Sequence, residues 1–181
     1  MKLLLKCFYD ICLLRAGPQD LPASTFLMVL VLFAYVLAGV MLSSLQMDWW
    51  QALLLLAADV GLLGGLAYLI LWVRQLGARF VQVFTALLGT GTFFEILALP
   101  LLYWQREAMA AFQNGTDEGS GTVFISAFVL WLVLFWSLVV IGHILRHALS
   151  TNMPVGMALA VLYMFISVAL NQQLVQPMLA A

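Results

Sequence analysis

The chain has 181 residues and a net charge of −1 at pH 7; 65% of its residues are hydrophobic and only 8% are charged. A soluble domain carries about 25% charged residues, so this composition excludes a water-soluble globular protein, and its charge gives no indication of a nucleic-acid partner. The apolar stretches are continuous rather than alternating, which favours helices over a transmembrane barrel. We therefore expect an all-α, polytopic integral membrane protein.

The first segment, residues 1–16, has the pattern of an amphipathic helix. Lys2, Lys6 and Asp10 fall on one helical face, and the large apolar residues fall largely on another. Such a helix either lies in the membrane interface or packs on the cytoplasmic face of the protein's own bundle. Residues 17–24 form a linker, in which Pro18 and Pro22 separate this helix from the next.

Five apolar segments follow, each long enough to cross a hydrocarbon core of about 30 Å at roughly 1.5 Å per residue. They are predicted at residues 25–46, 49–73, 80–104, 122–147 and 153–175, so that 25–181 forms one five-helix transmembrane domain. Pro100 predicts a kink in the third span, because its ring nitrogen has no hydrogen to donate. The polar stretch from 105 to 121 is the longest predicted connection, and its second half is predicted to be turn-forming.

The basic residues indicate how the chain crosses the membrane. Six of the seven would lie on one side, and only Arg106 would lie on the other. The positive-inside rule then predicts a cytoplasmic N-terminus and an external C-terminus in the cell inner (plasma) membrane. On the cytoplasmic side, the residues expected to face lipid phosphates are Lys2, Lys6, Arg15, Arg74, Arg79, Arg146 and His147.

Two carboxylates lie in the middle of neighbouring spans. Asp59 and Glu95 are each expected about 14–15 Å below the outer surface, at a rise of about 1.5 Å per residue, so they could meet. One interpretation is a proton or cation relay, since acids within a membrane are functional candidates by default. The other is a structural hydrogen-bond cluster between helices. Asn171, Thr92 and Thr90 could complete the polar patch of such a relay.

Small residues on the second span form a possible contact surface. Ala58, Gly61 and Gly65 lie beside Asp59 and would let another helix approach closely. The predicted partners are therefore the lipid bilayer and other membrane proteins or a second copy of the chain.

The sequence carries no recognisable catalytic motif. His143 and His147 share a helical face at a spacing that allows metal binding. The sequence offers no third ligand beside them, and the only other candidates, Cys7 and Cys12, are distant in sequence. We expect no enzymatic activity, no cofactor and no metal site.

The fourth span and its exit resemble a known family. The segment WSLVVIGHILRH at 136–147, the turn Ser150-Thr151-Asn152 and the segment PVGMALA at 154–160 look like the last hairpin of the Yip family. These are five-span, Rab-interacting membrane proteins with many uncharacterised bacterial relatives. The resemblance implies a five-helix fold and a non-enzymatic role. The chain has only its amphipathic stretch and linker before the first span, which favours a bacterial relative without a Rab partner.

Two functional hypotheses follow from these observations. The first is a scaffold or accessory subunit of a membrane complex that acts through helix–helix contacts. The second is a small proton- or cation-coupled transporter or channel subunit that uses the intramembrane carboxylates.

Overall fold

The computed structural model describes residues 2–114 and 117–179, without the side chains of Lys2, of 117–120 and of 175–179. The phosphate-facing role predicted for Lys2 therefore lies outside the described part. All regular structure in the described residues is helical. It comprises α1 (Lys2–Cys12), α2 (Thr25–Ser43), α3 (Trp49–Val73), α4 (Phe80–Gln113), α5 (Asp117–Ala148) and α6 (Met153–Leu179), with single 3-10 turns at Pro18–Asp20 and Gly77–Arg79.

The five helices from α2 to α6 are each long and apolar enough to span a membrane, which confirms the predicted fold class. The bounds of α3 agree with the predicted span, whereas α2 ends at Ser43 rather than at 46. The largest difference is in the polar stretch, where α4 continues to Gln113 and α5 begins at Asp117. Residues 105–113 are rich in alanine, glutamine and other good helix formers, so nothing ends α4 before Asn114 and Gly115.

Local signals define several helix ends. The Ser24 hydroxyl accepts a hydrogen bond from the Leu27 N–H (3.3 Å) at the start of α2. The Asp48 N–H donates to the side chain of Gln51 (3.3 Å) in a capping box that begins α3. These contacts satisfy backbone groups that a helix terminus leaves without partners.

Helix α4 is the centre of the bundle and packs chiefly against α2 and α5. Its first half is the most enclosed part, and residues 83–88 are all buried. Helices α5 and α6 approach closely at Gly156, where a Cβ would overlap the carbonyl oxygen of Gly142 and lie 3.0 Å from the Arg146 nitrogen. This contact between backbones requires glycine.

Helix α1 packs on the flank of the bundle through its apolar face. The Phe8 ring fills the space that a Cβ at Gly89 would need, and the ring of Tyr9 meets Phe93 edge to face at 6.4 Å. Gly89 and Phe93 lie roughly 14 and 20 Å along α4 from its start, at about 1.5 Å per residue. The helix therefore lies beside α4 rather than across the end of the bundle, and Ile11 is completely buried.

Candidate functional site

The fold brings the two intramembrane carboxylates together. Asp59 on α3 and Glu95 on α4 are close enough for their charges to interact. The structure also surrounds Asp59 with side chains that come from two further helices. The polar cluster thus lies where α2, α3, α4 and α6 meet.

The Asp59 carboxylate accepts three hydrogen bonds. Tyr35 on α2 donates to Oδ2 at 2.9 Å. Tyr163 and Ser167, one turn apart on α6, donate to Oδ1 at 2.9 and 2.8 Å. We refer to Asp59, Tyr35, Tyr163 and Ser167 as the Asp59 clasp. It ties α3 to both α2 and α6, and each oxygen of the carboxylate has at least one partner.

Helices α2 and α4 meet through two glycines that accommodate large side chains. A Cβ at Gly91 on α4 would lie 2.7 Å from the Tyr35 ring, and a Cβ at Gly39 on α2 would lie 2.9 Å from Glu95 Oε1. Tyr35 and Gly39 are one turn apart, as are Gly91 and Glu95. Each helix therefore contributes one side chain and one glycine to the contact, which lets both polar side chains enter the bundle.

Glu95 differs from Asp59 in its hydrogen bonding. Its Oε2 atom is buried and has no hydrogen-bond partner among the described residues. Glu95 also lines two neighbouring cavities. One, of about 270 Å³, includes Tyr35, Thr90, Ser137 and Ser167 in its walls. The other, of about 350 Å³, is lined mainly by apolar side chains.

Among the described residues, the three polar residues predicted to complete the patch make no hydrogen bond to Asp59 or Glu95, although Thr90 lines the same cavity as Glu95. The Thr92 hydroxyl donates to the Leu88 carbonyl of its own helix (2.8 Å), and Thr90 similarly donates to Ala86 (2.8 Å). Asn171 is exposed, one turn beyond Ser167 on α6. A threonine in a helix can satisfy its hydroxyl on the preceding turn, so it needs no interhelical partner.

The small residues of α3 have different surroundings from one another. No described atom lies within 4 Å of the place that a Cβ would occupy at Gly61 or Gly65, whereas Gly64 faces the Phe84 ring. Ala58 is half-buried. In the described part of the chain, therefore, no other helix packs against Gly61 and Gly65, and their use by another molecule stays a prediction. Pro100 lies exposed inside a helix that continues on both sides of it.

The basic residues near the link and the α5–α6 turn are of two kinds. Lys6, Arg15 and Arg74 are exposed. Arg79 is also exposed, but it reaches across to the α5–α6 turn, where its Nη1 donates to the Ala148 carbonyl (3.3 Å) and the Ser150 hydroxyl (3.1 Å). Arg146 donates from Nη2 to His147 Nε2 at 3.2 Å. Arg79, Arg146 and His147 thus line one cavity, whereas Lys6, Arg15 and Arg74 do not.

The candidate metal ligands do not form a metal site among the described residues, where no group of three or more His, Cys, Asp or Glu side chains is close enough to hold an ion. The His143 ring contacts that of His147 at 4.6 Å, and its Nε2 is 3.0 Å from the Ala16 carbonyl oxygen, so it fastens the linker to α5. Burial raises the pKa of the Cys12 thiol to about 11. Burial, with smaller effects of Asp20 and Asp10, also raises the pKa of Cys7. Both cysteines are therefore poor thiolate donors at neutral pH.

No protein-family model, curated protein or solved structure matches this chain.

Sequence reasoning missed most of the Asp59 clasp. Tyr35 and Tyr163 gave a usable indication, because a tyrosine hydroxyl in the middle of an apolar span needs a hydrogen-bond partner, whereas a serine such as Ser167 can bond to its own helix. Their partner was not evident, however, because α6 is distant from Asp59 in sequence and the face that α2 turns toward α3 depends on the packing of the whole bundle. The role of Gly39 carried no signal of its own, because a single glycine in an apolar helix is common.

Proposed function

We propose that this protein is a non-enzymatic, multi-pass protein of the cell inner (plasma) membrane, similar to the Yip family, that acts as a scaffold or accessory subunit of a membrane complex. The observation that carries the proposal is the Asp59 clasp. Its hydrogen bonds hold three helices in one arrangement and occupy both oxygens of the carboxylate. A carboxylate bound in this way favours a structural role over a chemical one.

The open face of α3 supports the same proposal. Gly61 and Gly65 are exposed one turn apart, and Tyr68 and Trp72 continue the same face. In lipid, small residues at this spacing let two helices approach closely, and their contact then gains van der Waals energy. The proposed partners are therefore other membrane proteins or a second copy of this chain.

The proposed orientation has the N-terminus in the cytoplasm and the C-terminus outside. The positive-inside rule supports it, because the basic residues concentrate at the link between α3 and α4 and at the end of α5. Arg106, whose guanidinium donates to the Leu45 carbonyl at the other end of the bundle, is the exception.

The Gly61→Leu/Gly65→Leu double variant tests the proposal. We expect at least about a tenfold loss of the complex or dimer that the natural chain forms in mild detergent, because the added side chains hold the partner helix away. The measurement is the stoichiometry of the purified species by native mass spectrometry. Gly121→Leu is the matched control, since Gly121 also has nothing within 4 Å of its Cβ position. If the double variant stayed folded and its complexes were unchanged, this role for α3 would be wrong.

A second candidate function rests on Glu95 alone. Its buried Oε2 has no hydrogen-bond partner among the described residues, and Glu95 lines cavities of about 270 and 350 Å³, an arrangement that fits binding of a proton or a cation. In this alternative, the protein is a small proton- or cation-coupled transporter or channel subunit. The Asp59 clasp would then position the helices around Glu95.

Flux in proteoliposomes separates the two functions. For a transporter, we expect Glu95→Gln to reduce proton or cation flux at least about tenfold, because the amide cannot exchange a proton or carry charge. Asp59→Asn would reduce it as well by loosening the clasp. Glu107→Gln, at an exposed acid further along α4, is the control. Flux equal to that of empty liposomes would remove the transporter hypothesis and leave the scaffold.

A further inference from the structure

A cavity of about 560 Å³ lies at the end of the bundle where α4 begins and α5 ends. This volume is within the range of about 300–1,000 Å³ typical of small-molecule sites. Three segments of the chain form its walls: the linker before α2, the first turn of α4 and the α5–α6 turn. Its polar lining includes Arg79, Gln82, Arg146, His147 and Thr151.

Hydrogen bonds hold the two arginine side chains of this cavity in place. Arg79 is anchored through Nη1 to Ala148 and Ser150, and Arg146 is bound to His147. The Gln82 side chain donates to the Leu21 carbonyl (2.8 Å) and fastens the linker against α4. Two guanidinium groups fixed in this way are preorganised to bind an anion, because the arginine side chains lose little conformational entropy when the anion binds.

Two donors in the same cavity lack acceptors. Arg146 Nε and Thr151 Oγ1 are both buried, and neither has a hydrogen-bond partner among the described residues. A buried donor without an acceptor is unfavourable, and native structures rarely leave one without a reason. Arg146 and Thr151 also belong to one turn, since the Thr151 N–H donates to the Arg146 carbonyl (2.9 Å). A small shift of these side chains toward the cavity would let an anion there supply both missing acceptors.

Negative charge near the cavity is limited. Asp20 is close enough to interact with His147, but its carboxylate accepts the Gly17 N–H (2.8 Å) and is not part of the cavity lining. The lining itself contains two arginines and no carboxylate. The electrostatic potential inside is therefore favourable for an anion.

We propose that this cavity binds a phosphate group. Arg79 and Arg146 neutralise its charge, and the Arg146 Nε–H and the Thr151 hydroxyl donate to its oxygens. Phosphate matches these donors because it presents several oxygens to a planar guanidinium and a hydroxyl at once. Pro18, Val83 and Ala148 form the apolar part of the cavity wall, against which an apolar group attached to the phosphate would pack. The group belongs to a phospholipid headgroup or to a soluble phosphorylated molecule.

The test uses the full chain purified in mild detergent with two probes, short-chain phosphatidic acid and inorganic phosphate. We expect one or both to raise the thermal unfolding temperature saturably. Arg146→Gln should weaken that binding at least about tenfold, the usual effect of losing a charge-assisted hydrogen bond. Arg74→Gln is the control, because Arg74 is exposed at the same end but does not line the cavity. A response to phosphatidic acid alone indicates the lipid source, and a response to inorganic phosphate indicates the soluble one.

Thr151 provides an independent variant, because Arg146 also contributes to the contact between α5 and α6. Thr151→Val removes the hydroxyl at nearly constant volume, and Thr151→Ser keeps it. We expect Thr151→Val to weaken binding about tenfold and Thr151→Ser to restore it. The proposal would be overturned if the natural chain bound neither probe, or if Thr151→Val and every folded Arg146 variant bound as tightly as the natural chain.

Discussion

The Gly156→Ala variant is expected to lose about 2 kcal/mol of stability. Its Cβ would overlap the Gly142 carbonyl oxygen and lie 3.0 Å from the Arg146 nitrogen, so the atoms it meets are backbone and cannot rotate away. Overpacking of this kind costs about 3 kcal/mol at the upper end of its usual range. The gain in helix propensity on replacing glycine with alanine offsets at most about 1 kcal/mol of this. The measurement is loss of helicity on titration with denaturing detergent.

The matched control is Gly61→Ala. Both positions lie inside a helix, but nothing described lies within 4 Å of a Cβ at Gly61. The control therefore gains helix propensity without overlap, and we expect its stability to equal or slightly exceed that of the natural chain. Equal stabilities for the two variants would contradict the close approach of α5 and α6.

The Asp59→Leu variant is expected to lose at least about 2 kcal/mol. Three interhelical hydrogen bonds disappear, and such bonds contribute on average about 0.6 kcal/mol each in membrane proteins. The loss is larger if Tyr35, Tyr163 and Ser167 keep hydroxyls without acceptors. Asp59→Asn should be milder, because the amide retains one acceptor oxygen. Stability is again measured by denaturing-detergent titration.

A double-mutant cycle distinguishes the Asp59 clasp from a general effect of polarity. Tyr163→Phe removes one donor and should destabilise the natural chain, but it should have little effect in the Asp59→Leu background, where the bond is already absent. Leu162→Ala, next to Tyr163 but exposed, is the control and should act equally in both backgrounds. If the effects of Tyr163→Phe and Asp59→Leu simply added, the two side chains would not be coupled.

The spans were predictable because lipid imposes a strong and local requirement on sequence. A segment that crosses the membrane must be apolar for about 20 residues, and this can be read without knowing its neighbours. The ends of α3 follow directly from Asp48 and from the link at Arg74. The polar stretch after Trp104 was harder, because helix formers such as those at 105–113 occur both in surface helices and in extensions of a span. The structure continues α4 through them.

The polar cluster was predictable only in part. Equal depth on adjacent helices brings Asp59 and Glu95 near each other, and depth follows from counting residues along a helix. Which face each helix turns toward the others depends on all the contacts of the bundle. For this reason Tyr35 and Tyr163 entered the cluster, whereas Asn171 stayed exposed one turn beyond Ser167.

Composition and hydropathy by themselves determined that this chain is helical and has five membrane-crossing segments, because the cost of an unsatisfied backbone group in lipid leaves few alternatives. Only the tertiary structure decided that three hydroxyls converge on Asp59, that a buried oxygen of Glu95 has no partner among the described residues, and that Arg79 and Arg146 line one cavity. Those features depend on side chains brought together from distant parts of the chain. Their meeting is set by helix rotation and close packing, which no local pattern of residues encodes.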